Sequence, residues 1–187
     1  NTPATYDMEA AFGRRLEDFR AGDTFRHWPA KTITESDNNL FCLLTRNPHP
    51  LHSDVEYAAA QQHRRPEVVG TLVLSLAVGM SVPDISGQAV ANLDYETVRH
   101  EAPVFVGDTL RAETQVLEVR PSASNPGRGV VLVETRAFNQ HGERVLTLRR
   151  HILVPAGRAA RAWGYLDVQQ PHCAEVGPRE GGAGGAG

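Results

Sequence analysis

Residues Val68–Val82 read VVGTLVLSLAVGMSV, and they decide the architecture. The stretch is rich in small residues and apolar almost all round, with no charge. A helix of that composition has no side to offer to water, so it belongs in a core. At 15 residues it is too short to span a membrane, which takes about 20. Pro66-Glu67 precede it, and Pro83-Asp84 are expected to end it.

C-terminal to this helix the texture changes. Ala89–Arg99, Thr109–Val119, Gly129–Asn139 and Arg144–Val154 alternate or carry β-branched residues, and they predict four strands. Asn125-Pro126-Gly127 and Gln140-His141-Gly142 mark hairpin turns between the last three. In Ala102–Leu110, APVFVGDTL, Gly107-Asp108 is expected to form a tight turn rather than a site.

N-terminal to the helix, Gly13–Asp23 reads as a loop and Thr24–Ile33 as a strand interrupted near Pro29. Thr34 with Asp37 three residues on resembles a capping box opening a helix over 35–45, with Leu40, Phe41 and Leu44 on one face. Ser53-Asp54 can cap a second short helix, Val55–Gln62. The expected fold is therefore α+β: one curved antiparallel sheet wrapped around one long central helix. Residues 1–12 are expected to form a loose leader. Residues 156–187, Arg/Ala-rich and ending GGAGGAG, are expected to form a flexible tail outside the domain.

The chain has 187 residues, a net charge of −3 and two cysteines, which suits one domain with free thiols in a reducing cytoplasm. Mixed charge argues against a nucleic-acid partner. No apolar run is long enough to cross a membrane, and the first residues lack the basic start and apolar core of a secretory signal. The chain opens on Asn1 rather than Met, which suggests trimming. Arg149-Arg150 reads either as an edge-strand solubility device or as part of a phosphate patch.

Between the two predicted helices lies Asn47-Pro48-His49-Pro50-Leu51-His52. Each proline fixes its own φ and restricts the residue before it, so this turn is stiff. A stiff turn can hold an imidazole at a defined angle, as a general acid/base requires.

The run Thr45-Arg46-Asn47-Pro48-His49-Pro50-Leu51-His52-Ser53-Asp54, followed by Tyr57-Ala58, resembles the Thr-Gly-Asp-x-Asn-Pro-Leu/Ile-His-x-Asp motif of the MaoC-like hydratases. Pro66 to Gly70 before the apolar helix, and Ala102–Leu110, resemble further segments of that family in the same order. The likeness covers about residues 13–155, and its texture is similar to the branch near mesaconyl-CoA hydratase.

The resemblance implies a hot-dog fold and hydratase/dehydratase chemistry on the thioester of a short, branched or dicarboxylic acyl group. The carrier would be CoA or an acyl-carrier protein, itself the substrate, with no further cofactor. It also implies a homodimer or dimer-based oligomer. It carries the catalytic histidine onto His52 and an oxyanion-binding backbone N–H onto Gly70. Three positions depart from the motif: Arg46 replaces glycine, Asn47 replaces the acid and His49 replaces asparagine.

Two readings follow from these departures. In one, His52 alone moves the proton and Asn47 holds water, with His49 as a weaker candidate for a second titrating group and Arg46 as a contact for CoA phosphate. In the other, the scaffold serves acyl-thioester binding or a specialised elimination or cyclisation. A thioesterase of this fold would carry a carboxylate on the central helix, and Val68–Val82 has none. His49 and His52 have no third ligand at a recognisable metal spacing, so no metal is expected.

Overall fold

The structure is a computed structural model that describes residues 11–157 together with Tyr6 and Met8. Strands β1 (Thr24–Arg26) and β2 (Lys31–Thr32) precede helix α1 (Glu35–Thr45). A one-turn 3-10 segment (Pro50–His52), helix α2 (Val55–Ala59) and helix α3 (Gly70–Ser81) follow. Strands β3 (Ala91–His100), β4 (Thr109–Pro121), β5 (Arg128–Phe138) and β6 (Arg144–Pro155) complete the domain. All strand pairs are antiparallel, in the order β1-β4-β5-β6-β3, with β2 paired to β4 off that path.

α3 packs against β4, β5 and β6. This is the sheet packed on one helix that the apolar segment and the four strands predict, and the hot-dog fold that the resemblance implies. The inner face of β6 alternates as expected: Leu146, Leu148, Ile152 and Val154 are buried. Leu146 and Leu148 meet Leu72, Val73 and Ala77 of α3 in one apolar cluster. Ile152 and Val154 join Phe19, Ile85, Val116, Val131 and Val133 in a second.

α1 starts where the capping box places it. Asp37 N–H donates to Thr34 Oγ1 at 3.2 Å, and Thr34 N–H donates to Asp37 Oδ2 at 2.8 Å. Lys31 Nζ lies 2.7 Å from Asp37 Oδ2. The Lys31 ammonium first, then the Thr34 donors, hold the Asp37 carboxyl down to about 2. A depressed carboxylate contributes stability above its unfolded value, about 3.9, and loses it as pH falls from there through about 2. Thr34→Ala is expected to cost about 1 kcal/mol, read as a lower urea midpoint with unchanged slope.

Three details differ from the sequence reading. The buried side of α1 carries Asn38 and Cys42, with Phe41 half-buried, while Leu40, Leu43 and Leu44 are exposed. Pro83 does not end the central helix, which runs on as a π-turn over Val82–Ser86. Pro83, which has no N–H to give to the preceding turn, stands where the α pattern gives way to the π-turn.

The third is Arg150, which lies on no edge: β6 runs between β5 and β3, and the side chain is 0% exposed. It stands between the two apolar clusters. Its guanidinium donates to Ser81 Oγ and Asn92 Oδ1, both at 2.8 Å, and to Ser86 Oγ at 3.3 Å. Burial lowers its affinity for its proton, yet a guanidinium keeps its charge. That charge sits at the C-terminal end of α3, where a helix favours a cation. Arg149 points outward and pairs with Glu134.

A second polar line crosses the core. The His27 ring bonds Asp84 Oδ2 through Nδ1 and Thr114 Oγ1 through Nε2, both at 2.7 Å, and Thr114 Oγ1 bonds Thr135 Oγ1 at 2.8 Å. It fastens the π-turn to β4 and β5.

The expected turn at Gly107-Asp108 forms with Gly107 at φ +95° and Asp108 Oδ2 accepting from Phe105 N–H at 2.9 Å. At the end of β6, Arg15 Nε donates to Gly157 O at 2.6 Å, so residues 156 and 157 are still held to the domain. The expected tail beyond them, and most of the expected leader, lie outside the described residues.

Candidate active site

α1 ends at Arg46, which adopts φ +56° in the left-handed region. A residue there reverses the chain, and glycine does so most easily. Arg46 therefore occupies a position with a clear conformational demand. Asn47 N–H donates to Cys42 O at 2.9 Å, and Asn47 Oδ1 accepts from His49 N–H at 3.1 Å. The Asn47 amide oxygen is thus engaged in an Asx turn. His49 caps the next turn, its Nδ1 accepting from Leu51 N–H at 3.2 Å. Pro50 then opens the 3-10 turn that carries His52.

His52 is pinned from two sides. Its Nδ1 lies 2.9 Å from Glu67 O, and its own carbonyl accepts from Asn38 Nδ2 at 2.9 Å. A carbonyl can only accept, so Nδ1 carries the proton. Nε2 is then the basic nitrogen, and among the described residues it has no protein partner. Asn38 does more than hold the turn. Its Oδ1 accepts from Val69 N–H at 3.0 Å, and Val69 is the N-cap of α3. One buried amide therefore ties α1, the histidine turn and the start of the central helix together.

His52 lines a largely apolar cavity of about 240 Å³. Phe105, Val106, Val55 and Pro66 give its apolar wall; Asn38, Asn39, Ser53, Glu35 and Arg65 give its polar groups. Asn47 and Arg46 line a different hollow, about 640 Å³, with Cys42, Leu43 and Pro48. Asn39 and Ser53 border both. The structure thus sets Asn47 and His52 on two sides of a shared wall. Burial pushes the Cys42 thiol up, which disfavours the thiolate that a nucleophile needs.

His49 stands beside His52, ring centroids 5.9 Å apart, and is exposed. Gly70 lines neither hollow. It is the first residue of α3, and a methyl group added to it would meet the His100 ring at 3.0 Å. Among the described residues the N–H groups of Gly70 and Thr71 find no acceptor, as the first turn of a helix leads one to expect.

Asn38, Arg65 and Phe105 border the His52 cavity and were not marked by the sequence reading. Asn38 carried one signal. Asparagine is disfavoured inside a helix, so its place one turn into α1 asks for a bonding reason.

Residues 18–137 match the family described as MaoC like domain. The chain is 41% identical over 147 residues to mesaconyl-CoA hydratase of Cereibacter sphaeroides, covering 79% of this chain and 43% of that one. It is 30% identical over 126 residues to the (R)-specific enoyl-CoA hydratase of Aeromonas caviae, covering 67% of this chain and 90% of the relative. A MaoC domain protein from Chloroflexus aurantiacus superposes with a TM-score of 0.75 at 35% identity, over 80% of this chain and 42% of that one. The chain thus spans less than half the length of the first of these relatives.

Proposed function

The chain belongs to the MaoC-like family, and on that premise we propose that it is a hydro-lyase acting on a short acyl-CoA thioester, branched or dicarboxylic. It adds or removes water across the α,β double bond. The observation that carries this reading is the fixed tautomer of His52. Nδ1–H is committed to Glu67 O, so Nε2 is left basic at the wall of an apolar cavity.

In hydration, Nε2 takes a proton from water while the oxygen bonds to the β-carbon. The π electrons move toward the thioester carbonyl, and the proton on Nε2 passes to the α-carbon. One OH and one H are added, and His52 returns neutral. The developing oxyanion needs donors, and the resemblance of Pro66 to Gly70 to the family's helix entry gives that role to the Gly70 N–H, which opens α3 outside the wall of the His52 cavity. No resident cofactor enters; CoA arrives with the substrate. The free thiol of Cys42 fits a reducing cytoplasm.

The test compares wild type, His52→Ala and Asn47→Asp on a panel of enoyl- and 3-hydroxyacyl-CoAs. Turnover by wild type and Asn47→Asp within a few-fold of each other, with loss in His52→Ala, supports the single-histidine mechanism. Binding of thioesters with no turnover by wild type supports the other reading, a binding scaffold. The engagement of Asn47 in a turn, away from the His52 cavity, is the observation that keeps that reading in view.

We further propose a homodimer through β3. This strand closes the sheet at one edge and is exposed along almost its whole length, including Leu93, Tyr95 and Val98. An unpaired apolar edge is a template for a second strand. Wild type is expected to sediment as a dimer, and Leu93→Lys with Val98→Lys as a monomer. A monomeric wild type at micromolar concentration overturns the proposal.

A further inference from the structure

We propose that Arg65 is the residue that selects the acyl group, by pairing with a second carboxylate on the acyl chain; this rests on the hydro-lyase reading above. Arg65 lines the same cavity as His52. Its guanidinium carbon lies 3.5 Å from the centroid of the Phe105 ring, a close cation–π stack. Phe105 is itself a fixed platform. It is buried, its N–H is bonded to Asp108, and the His63 ring meets it edge-on at 5.6 Å. A guanidinium laid on such a platform loses little further freedom when it binds, and its fork of donors matches a carboxylate.

Placement decides which anion it reads. The phosphates of CoA are separated from the reacting carbons by the whole pantetheine arm. The His52 cavity is small, about 240 Å³, and Arg65, itself an exposed residue, is part of its wall. The anion within reach of Arg65 when the double bond faces His52 is therefore one on the acyl group. Arg65 is the one permanent cation among the described residues of that wall, and Glu35 is its one carboxylate. Without Arg65, Glu35 would repel an acidic acyl chain.

The experiment compares wild type, Arg65→Gln and Arg65→Lys on two enoyl-CoAs of equal chain length. One ends in a carboxylate and the other in its methyl ester. In Arg65→Gln, kcat/KM for the carboxylate is expected to fall roughly 10- to 100-fold, with the ester changed less than about threefold. Arg65→Lys is expected to recover part of the loss. Equal losses on both substrates would assign Arg65 to CoA or to the fold, and overturn the proposal, as would no loss on either.

Binding of the corresponding saturated acyl-CoAs, which cannot be hydrated, gives the same contrast by calorimetry. Wild type that binds the acid more tightly than the ester, with the preference abolished by Arg65→Gln, upholds the proposal even where turnover is absent. Absence of that preference in wild type overturns it. Failure of the hydro-lyase reading is a separate result, seen as wild-type binding without turnover.

Discussion

His52→Ala is expected to lower kcat/KM roughly 100- to 10,000-fold on every acyl-CoA that the wild-type protein hydrates. The size follows from the role: the proposed mechanism gives one nitrogen both the proton abstraction and the proton delivery. The fold should survive, because His52 is only half-buried and its turn is also held by Asp54 N–H on Pro50 O at 2.8 Å and Glu67 N–H on Leu51 O at 3.2 Å. Circular dichroism and a urea midpoint near wild type would establish that. Full turnover in the variant would remove His52 from the mechanism.

Asn38→Ala is expected to have the second largest effect, and on two readouts. It leaves Val69 N–H without a partner in a buried place and His52 O without one in a half-buried place. An unmade buried hydrogen bond costs about 1–3 kcal/mol, so a loss of about 3 kcal/mol in unfolding free energy is expected. Turnover should also fall, because small displacements of a base are costly, by up to about 100-fold per ångström. Asn38→Asp keeps an acceptor for Val69 but sets a buried carboxyl against the His52 carbonyl, so it is expected to lower both stability and kcat. Wild-type kcat in both variants would show that the amide supports the fold alone.

Much of this molecule was readable in its residues. The four long strands fall within about two residues of their expected limits, because alternation and glycine turns are local signals. Thr34 and Asp37 set the start of α1 for the same reason. What was missed depends on neighbours distant in the chain. Leu40 and Leu44 look like a core stripe, but the side of α1 that meets the rest of the domain is the one with Asn38 and Cys42. Arg150 looks like a surface charge until Ser81, Ser86 and Asn92 are brought around it. His27 and Asp84 are 57 residues apart and show no spacing that would pair them. Of the candidate site residues, His52 and His49 come together, while Asn47 and Arg46 share another hollow and Gly70 lies apart from both.

The treatment of the two ends of α3 is unequal, and this shapes the field inside the domain. A helix acts as a pair of opposite half-charges. At the C-terminal end, Arg150 supplies a permanent positive charge within the core that offsets the negative half. At the N-terminal end, Gly70 and Thr71 keep unengaged N–H groups, and no carboxylate stands in the first turn. The helix therefore behaves as a single positive pole directed at the region of the histidine turn. A negative charge that develops near Gly70 meets that pole without the opposing contribution of the far end.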